Sequence, residues 1–424
     1  MRHTGSFRSG QGVVPTDWPL VALACALTAL GIAMVYSAGQ TDVPNFVSGL
    51  WRTQLVWAGL GLGVMWGMSR LSVRALEWAS LPLYLAALVM LLLLLVIGTG
   101  AGTAASTKSW LAIGGVRIGQ PAEIAKIATV LMMARVLSAQ RVAAASLFGL
   151  WRPALIVGIP WLLVMAQPDL GTGLVFIGIF FAMLYWSGVS WPLLLMAASP
   201  GVSLVLAFST GVWGAWFLLL LALVAWKRPS WIESSALVGA NVVMGVFAPI
   251  LWDKLNPYQQ RRLLVFLDPS SDPRNSGYHL IQSQVAIGSG GFFGKGFTDG
   301  TQKRLAFLPE QHTDFIYAVV GEEFGFFGVA LVLSLFAVFL LRTIRIAGRA
   351  ANPFASLAAF GVTAALFTHI LVNVGMTIGL MPITGIPLPF FSYGGSFMLS
   401  CWLSVGILVL VSAEGRGRAD GLVI

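Results

Sequence analysis

The sequence predicts an all-α, polytopic membrane protein, a single helical bundle of about twelve transmembrane spans. Of its 424 residues, 57% are hydrophobic and 10% are charged, and the mean hydropathy is +0.85. A soluble domain carries about 25% charged residues, so this composition excludes an ordinary soluble protein. Apolar tracts of about 20 residues, long enough to cross roughly 30 Å of hydrocarbon, recur along the whole chain.

The apolar tracts give the order of the predicted spans. We place them near residues 18–37, 55–68, 76–98, 122–137, 153–165, 171–186, 192–208, 213–226, 235–251, 315–341, 355–380 and 392–412. The first tract follows a polar, basic segment, residues 1–16, and no small-residue cleavage site comes after it. It is therefore predicted to be a retained span and not a removed signal peptide. Cys25 and Cys401 both lie in apolar tracts, which argues against a disulfide framework or a cysteine metal site.

The distribution of Lys and Arg predicts which side of the membrane each connection faces, because cytoplasmic connections are enriched in these residues. If the N-terminal tail is cytoplasmic, every inner connection except the short one after Trp186 is basic. The inner cations are then Arg70, Arg74, Arg135, Arg141, Arg152, Lys227, Arg228, Arg342, Arg345, Arg349, Arg416 and Arg418. The tails 1–16 and 413–424 are therefore predicted to be cytoplasmic, and the loop 253–314 to face outward.

Charge is concentrated in the loop 253–314, which holds 13 of the 41 charged residues in 62 of the 424 positions. A charged, Gly-rich loop on an apolar scaffold is a place for chemistry on a membrane-borne substrate. The net charge of +9 does not indicate nucleic-acid binding. The cations lie at the ends of apolar segments and form no basic face interleaved with aromatic residues.

Two short polar motifs lie at the starts of predicted spans. In QPAEIAK (120–126), Pro121 suits the first turn of a helix, and Glu123 lies at the positive end of its dipole. Glu123 and Lys126 share one helix face. They either form a structural ion pair or present a cation to a phosphate near the bilayer surface. In QPDLGTG (167–173), Asp169 is predicted to cap the following helix.

The first half of the loop combines cations with aromatic rings. Tyr258, Arg261 and Arg262 suit a lipid-linked phosphate, because a guanidinium binds phosphate oxygens in pairs. Asp268 precedes a proline and is predicted to form a turn. Asp272 also precedes a proline, and the residue pattern leaves its role open. Polar residues follow at Tyr278, His279, Gln282 and Ser283.

Three further motifs lie in the second half of the loop and before the last span. Residues 288–300 contain six glycines and Lys295. This composition is only a weak indication of a phosphate-binding loop, because the strand–loop–helix context is missing.

Glu310, His312 and Asp314 either bind a divalent cation or belong to a network that fixes the loop to the next span. The segment 385–396, which contains Ser392, interrupts apolar sequence at membrane depth. Irregular backbone there must be packed in protein or line a wet cavity, so we expect it to border the same site as the loop.

Five stretches together resemble the SEDS family (shape, elongation, division and sporulation proteins), the polytopic polymerases of peptidoglycan glycan strands. They are QPAEIAK (120–126), QPDLGTG (167–173), YQQRRLLVFLDPSSDPRNSGYHLIQSQVAIGSGG (258–291), GTQKRLAFLPEQHTDFIYAVVGEEFG (300–325) and GLMPITGIPLPFFSYGGS (379–396). GTQ followed by FLPEQHTDF is more similar to the elongation branch of the family than to the division branch.

The resemblance implies a lipid II-using glycosyltransferase of the bacterial cytoplasmic membrane, with an outward-facing active site and a role in cell elongation. The essential aspartate of the family corresponds to Asp272. The family also has an arginine four residues after a tyrosine, and this arginine corresponds to Arg262, four residues after Tyr258. The family's functional Glu and Lys correspond to Glu123 and Lys126. Its usual Pro-Ser-Glu is Pro-Ala-Glu here, and the region 192–226 resembles an insertion of two spans into the usual ten.

The reaction implied by the resemblance joins the 4-hydroxyl of a lipid II sugar to the anomeric carbon of a strand linked to a lipid pyrophosphate. Asp272 is expected either to take the hydroxyl proton or to hold a divalent cation, Mg²⁺ or Mn²⁺. Arg262, Lys126 and Lys295 are expected to meet the pyrophosphate. The other candidate substrate-binding residues are Glu123, Tyr258, Gln282, Ser283, His312 and Ser392.

The resemblance also implies an elongation complex with a class B penicillin-binding protein, a single-span transpeptidase. Two other classes of function stay open at this point, a lipid II flippase and a non-catalytic scaffold for the transpeptidase. A flippase explains the spans and the intramembrane ions. It explains the large charged loop poorly, because transporters hold their sites near the midplane of the bilayer. A scaffold would not need Asp272 for product formation.

Overall fold

The computed structural model describes residues 17–42, 46–100, 108–113, 116–140, 142–255, 260, 264–266, 276–305 and 307–420. Most of these residues are helical. In chain order the helices are α1 (Trp18–Ala38), α2 (Leu50–Ser69), α3 (Val73–Ile97), α4 (Pro121–Ser138), α5 (Trp151–Ala166), α6 (Leu170–Trp186), α7 (Trp191–Leu206), α8 (Thr210–Lys227), α9 (Trp231–Lys254), α10 (Ser276–Ser289), α11 (Thr301–Arg304), α12 (Ile316–Gly348), α13 (Pro353–Thr377) and α14 (Gly395–Asp420). A short antiparallel hairpin, β1 (Leu111–Ile113) and β2 (Val116–Gly119), lies between α3 and α4.

Each of the twelve predicted spans coincides with a helix in the described part of the chain, namely α1–α9 and α12–α14. Eight helices there are long and apolar enough to cross a membrane, and α6 and α7 are shorter apolar helices. The remaining two contain more polar side chains: Arg52 and Gln54 in α2, and Glu123, Lys126 and Arg135 in α4. The prediction of an all-α, polytopic integral membrane protein is confirmed.

Local sequence sets several helix starts. The Asn352 side chain accepts a hydrogen bond from the Ala355 amide at 2.8 Å, and Pro353 occupies the first turn of α13. Ser230 and Glu233 form a reciprocal capping box at the start of α9. Glu123 lies in the first turn of α4, as its position after Pro121 predicts.

Helices α13 and α14 form the centre of the bundle. About two thirds of α13 and nearly three quarters of α14 are buried over their membrane-spanning windows, whereas α8 is almost wholly on the surface. Helix α13 packs against α4, α6, α12 and α14, and α14 also packs along α2. Polar groups on α13 therefore lie inside protein and away from lipid.

Helices α7, α8 and α9 form a smaller cluster beside the main core. Met196, Leu220 and Leu237 make its apolar contacts. The buried Asn241 side chain accepts from Ser203 Oγ at 2.6 Å and donates to Ser199 Oγ at 2.8 Å, which links α9 to α7. The predicted two-span insertion, residues 192–226, covers α7 and α8. Its status as an insertion stays a prediction. Leu193 of α7 belongs to the main core, so α7 joins this cluster to the other helices.

Two contact sets mark opposite ends of the bundle. At one end, the Asp17 carboxylate before α1 binds Arg342 near the end of α12 at 2.8 Å and accepts from Ser412 near the end of α14 at 3.1 Å. At the other, Ser37 near the end of α1 binds Lys303 of the loop 253–314. The loop is thus attached at the end of α1 that lies away from Asp17.

Helix α12 is interrupted where the glycine-rich segment packs against it. Gly325 has φ 62° and ψ −157°, a conformation restricted to glycine. The interruption lets the Phe326 amide donate to the Gly291 carbonyl at 2.8 Å and brings the Lys295 amide to the Glu322 carbonyl at 3.1 Å. The six-glycine segment is therefore joined to α12 by backbone hydrogen bonds.

Candidate functional site at the loop end of the bundle

The Glu123–Lys126 pair lies buried at the start of α4. Lys126 Nζ is 2.9 Å from Glu123 Oε1, and both side chains are only 4% exposed. Their three-residue spacing predicts this contact, and the structure contains it. The Ser400 hydroxyl at the start of α14 donates to Glu123 Oε2 at 3.0 Å, so both carboxylate oxygens have a partner.

His369 of α13 completes this cluster, and sequence reasoning missed it. Its Nε2 atom lies 2.6 Å from Lys126 Nζ, and its Nδ1 atom lies 3.2 Å from the Pro387 carbonyl oxygen. The Phe397 ring packs on both groups, with its centroid 4.9 Å from that of His369 and 5.8 Å from Lys126 Nζ. The available signal was the position of an ionisable residue inside an apolar tract, which favours a functional site.

One face of α13 holds the irregular segments of the site together. Asn373, one turn after His369, donates to the carbonyls of Asp314 at 2.9 Å and Ile386 at 2.8 Å. One turn further, the Thr377 carbonyl accepts from the Ser283 hydroxyl of α10 at 2.8 Å. The end of the loop, the segment before α14 and α10 therefore meet on α13.

Ser392 and His312 lie where the loop touches the segment before α14. The Ser392 hydroxyl accepts from the Leu388 amide at 2.8 Å and donates to the Thr313 carbonyl at 2.6 Å. His312 is 6% exposed, and its carbonyl accepts from the Tyr393 amide at 2.9 Å. Burial lowers the pKa of His312 below its ordinary value, although the nearby Glu310 carboxylate opposes this shift. The expectation that the segment borders the loop is consistent with these contacts.

Lys295 binds a carboxylate of α12. Its Nζ atom is 2.8 Å from Glu322 Oε1 and 2.8 Å from Thr301 Oγ1. Glu322 also accepts from the Gln302 amide at 2.8 Å. The ammonium that was a candidate for phosphate binding is thus paired within the protein, and the glycine-rich segment folds around Glu322.

A second buried ion pair joins the loop to α12 and α1. The side chains of Lys303 and Glu323 both have no exposed surface, and each hydrogen-bonds to the other and to Ser37. Burial lowers the pKa of Lys303 below its ordinary value, although the Glu323 carboxylate raises it. With the Lys295–Glu322 pair, this contact attaches the loop to α12. The two alternatives for Glu310, His312 and Asp314, a cation site or a network that fixes the loop, stay predictions.

Asp169 caps α6, as predicted. Its carboxylate accepts from the Thr172 amide at 3.0 Å and the Thr172 hydroxyl at 2.9 Å. The Gln120 side chain, just before α4, donates at 3.0 Å to Asp169 Oδ2, the oxygen that also accepts from the Thr172 hydroxyl. The starts of α4 and α6 are therefore held side by side.

Several predicted site residues lie outside the described residues, namely Tyr258, Arg262 and Asp272. Gln282 lies half-buried on α10. Within the described ranges, no group of three or more His, Cys, Asp and Glu side chains is arranged to hold a metal ion. The roles assigned to the site residues stay predictions, and so does a cation at Asp272.

Comparison with known proteins places this arrangement in a family. The model of the FtsW, RodA and SpoVE family, described as cell cycle protein, matches residues 17–216 and 209–417. The chain belongs to this family. The resemblance to SEDS proteins inferred from the motifs is therefore confirmed.

Full-length relatives and solved structures agree with the assignment. The chain is 36% identical over 406 residues to peptidoglycan glycosyltransferase MrdB of Escherichia coli K12, covering 95% of both chains. It is 34% identical over 435 residues to peptidoglycan glycosyltransferase RodA of Treponema pallidum, covering 95% of this chain and 99% of the relative. As a member of this family with such relatives, the chain is a peptidoglycan glycosyltransferase.

Two solved structures share the fold. One is a chain of a peptidoglycan synthase complex that coordinates polymerization and crosslinking, with a TM-score of 0.69 and 30% identity. The other is the rod shape determining protein RodA of Thermus thermophilus, with a TM-score of 0.62 and 28% identity. Each alignment covers 95% of this chain and 98% of the other. The likeness to RodA proteins agrees with the elongation-branch motifs.

Proposed function

We propose that this SEDS glycosyltransferase polymerises lipid II, with Lys126 binding the diphosphate and Asp272 accepting the proton. The observation that supports this is the buried Lys126 ammonium at the start of α4. An ammonium has three N–H donors, and in the described residues Glu123 and His369 accept from it. A diphosphate oxygen is a suitable third acceptor. Because the ammonium is buried, the surrounding segments must move apart to admit the substrate.

The chemistry needs a base and a stabilised leaving group. The 4-hydroxyl oxygen of one lipid II sugar forms a bond to the anomeric carbon of the growing strand, and the bond from that carbon to the diphosphate breaks. The hydroxyl proton goes to Asp272, and the departing diphosphate takes the bonding electron pair. Lys126 and Arg262 stabilise this negative charge, more strongly in a low-dielectric site than in water.

Charge at the two ends of the bundle supports an outward-facing site. The end that holds Asp17 also carries four arginines near the ends of α12 and α14, namely Arg342, Arg345, Arg349 and Arg416. Placing this basic end in the cytoplasm follows the positive-inside rule. The Lys126 cluster and the loop 253–314 then face the outer side, where the strand is built.

A divalent cation, Mg²⁺ or Mn²⁺, remains a proposal for Asp272 alone. The described residues supply no cluster of ligands for it. Such an ion would supply positive charge next to the diphosphate, and a chelator would then abolish polymerisation by the wild-type protein. If Asp272 acts as a base without an ion, polymerisation continues in the chelator.

We also propose a class B penicillin-binding protein as the partner in an elongation complex. The support is the likeness to a chain from a peptidoglycan synthase complex that coordinates polymerization and crosslinking. Adding such a transpeptidase to the purified protein is expected to form a stable complex and to increase the yield of glycan product.

The site assignment is tested with purified protein, lipid II and a gel that separates glycan strands. Asp272→Ala and Lys126→Met are expected to lose polymerisation. Because Lys126→Met also leaves the Glu123 carboxylate buried without its counterion, its unfolding temperature is measured beside its activity. Lys227→Met, at an exposed lysine at the end of α8, is the control for loss of a lysine outside the site. Full activity of Asp272→Ala would refute the base assignment. Lipid II transfer across vesicles without polymer would instead favour a flippase.

A further inference from the structure

The hydrogen bonds of His369 define the protonation state of its ring. The Pro387 carbonyl can only accept, so the ring nitrogen 3.2 Å from it, Nδ1, carries the proton. The Lys126 ammonium can only donate, so the nitrogen 2.6 Å from it, Nε2, offers its lone pair. This arrangement requires the neutral ring with the proton on Nδ1.

We propose that His369 is a positioning residue for Lys126, fixing its ammonium for the diphosphate through this neutral tautomer. The inference rests on the function proposed above for Lys126. A lysine side chain has four rotatable bonds, so a single carboxylate contact leaves its position poorly defined. His369 supplies a second, fixed acceptor, and the Pro387 carbonyl holds the ring in orientation.

A neutral acceptor suits this position better than a second carboxylate. The charge of Glu123 already balances that of Lys126, and the Ser400 hydroxyl binds the other Glu123 oxygen. A second acid would add negative charge where the diphosphate must bind. The imidazole provides a hydrogen bond without that charge, so the ammonium is held in place and its third N–H donor is directed to a diphosphate oxygen.

The position of His369 also connects the cation to the segment before α14. Asn373, on the same face of α13, holds the neighbouring Ile386 carbonyl at 2.8 Å. His369 therefore lies between α4, which carries Lys126, and the segment 385–396, which contacts the loop through Ser392 and Tyr393. The competing interpretation is a purely structural histidine that fills space against Phe397.

Two substitutions separate these interpretations. Glutamine in His369→Gln retains an oxygen that accepts from Lys126 and an amide that donates to Pro387. Leucine in His369→Leu fills a similar space and makes neither bond. We expect His369→Gln to retain most of the wild-type kcat/KM for lipid II, and His369→Leu to lose about 10- to 100-fold. If the leucine variant inserts poorly, His369→Met replaces it as the apolar variant.

A double-substitution cycle tests whether His369 acts through Lys126. In a Lys126→Met background, His369→Leu is expected to cause no further loss, because the group it positions is absent. Where turnover of the Lys126→Met protein is below detection, the same cycle is measured on lipid II binding. Thermal unfolding of every variant accompanies the activity measurements.

Three results would overturn the inference: full activity of His369→Leu, equal damage from His369→Gln and His369→Leu, or a loss from His369→Leu that multiplies with that of Lys126→Met. The function proposed for Lys126 fails on a different result, an active Lys126→Met protein. The two failures are therefore distinguishable.

Discussion

Lys303 and Ser37 are hydrogen-bonded across 266 positions of sequence, with the lysine ammonium wholly enclosed by protein. Glu323 pairs with this ammonium from the first part of α12. The loop 253–314 is therefore anchored by a buried charge that touches both α1 and α12. Burying a cation costs free energy unless its counterion is present. Removing one partner of this ion pair should therefore destabilise the protein.

We expect Lys303→Met to lower the stability of the protein strongly. The substitution leaves the Glu323 carboxylate buried without its counterion, and breaking a buried pair costs about 3–5 kcal/mol. The adjacent pair Arg304–Asp42 is half-exposed on both sides, so Arg304→Met is the control and should change stability little. The measurement is thermal unfolding in detergent. Equal melting temperatures for the two variants would contradict the anchor role.

Gly325→Ala should destabilise the contact between the glycine-rich segment and α12. Gly325 has a positive φ, and an added Cβ would approach the Gly294 amide nitrogen to 2.5 Å. The backbone strain alone is about 1–3 kcal/mol. Gly348→Ala, at the other end of the same helix, meets open space and should be tolerated. We expect a protease to cut residues 290–300 faster in Gly325→Ala than in Gly348→Ala.

Most helices of this fold were predictable because apolar tracts of membrane-spanning length stand out in the sequence. Local rules were equally informative at two sites. Three-residue spacing predicted the Glu123–Lys126 contact, and the turn residues around Asp169 predicted its cap. Each of these features depends on residues within about one helical turn, which a sequence displays directly.

The long-range contacts of the site were not predictable in the same way. His369 lies 243 positions from Lys126, and nothing in the apolar sequence around it identifies that partner. Lys295 was a candidate phosphate ligand because it lies among glycines. The structure gives it Glu322 as a partner, because the interruption at Gly325 folds α12 against that segment. Such pairings depend on helix packing, which residue spacing does not encode.

The polar link between α7 and α9 predicts a modest and local effect. Asn241→Leu removes the bonds to Ser199 and Ser203, and such intramembrane hydrogen bonds contribute about 0.6–2 kcal/mol. We expect a small drop in the unfolding temperature with unchanged polymerisation of lipid II, because α7, α8 and α9 carry none of the proposed site residues. A loss of activity comparable to that of Lys126→Met would show that the cluster takes part in the reaction.

The burial of His312 predicts that stability depends on pH. Its pKa in the folded protein lies below its ordinary value of 6.5, chiefly because burial disfavours the charged ring. The unfolded chain therefore binds the proton more readily, and the stability contributed by the neutral ring is lost as the pH falls below about 6.5 toward the lowered folded pKa. His312→Gln has no titrating ring at this position, so its unfolding temperature should fall less over the same interval than that of the wild type. If the unfolding temperatures of the two proteins fall in parallel with pH, the imidazole of His312 is not the titrating group.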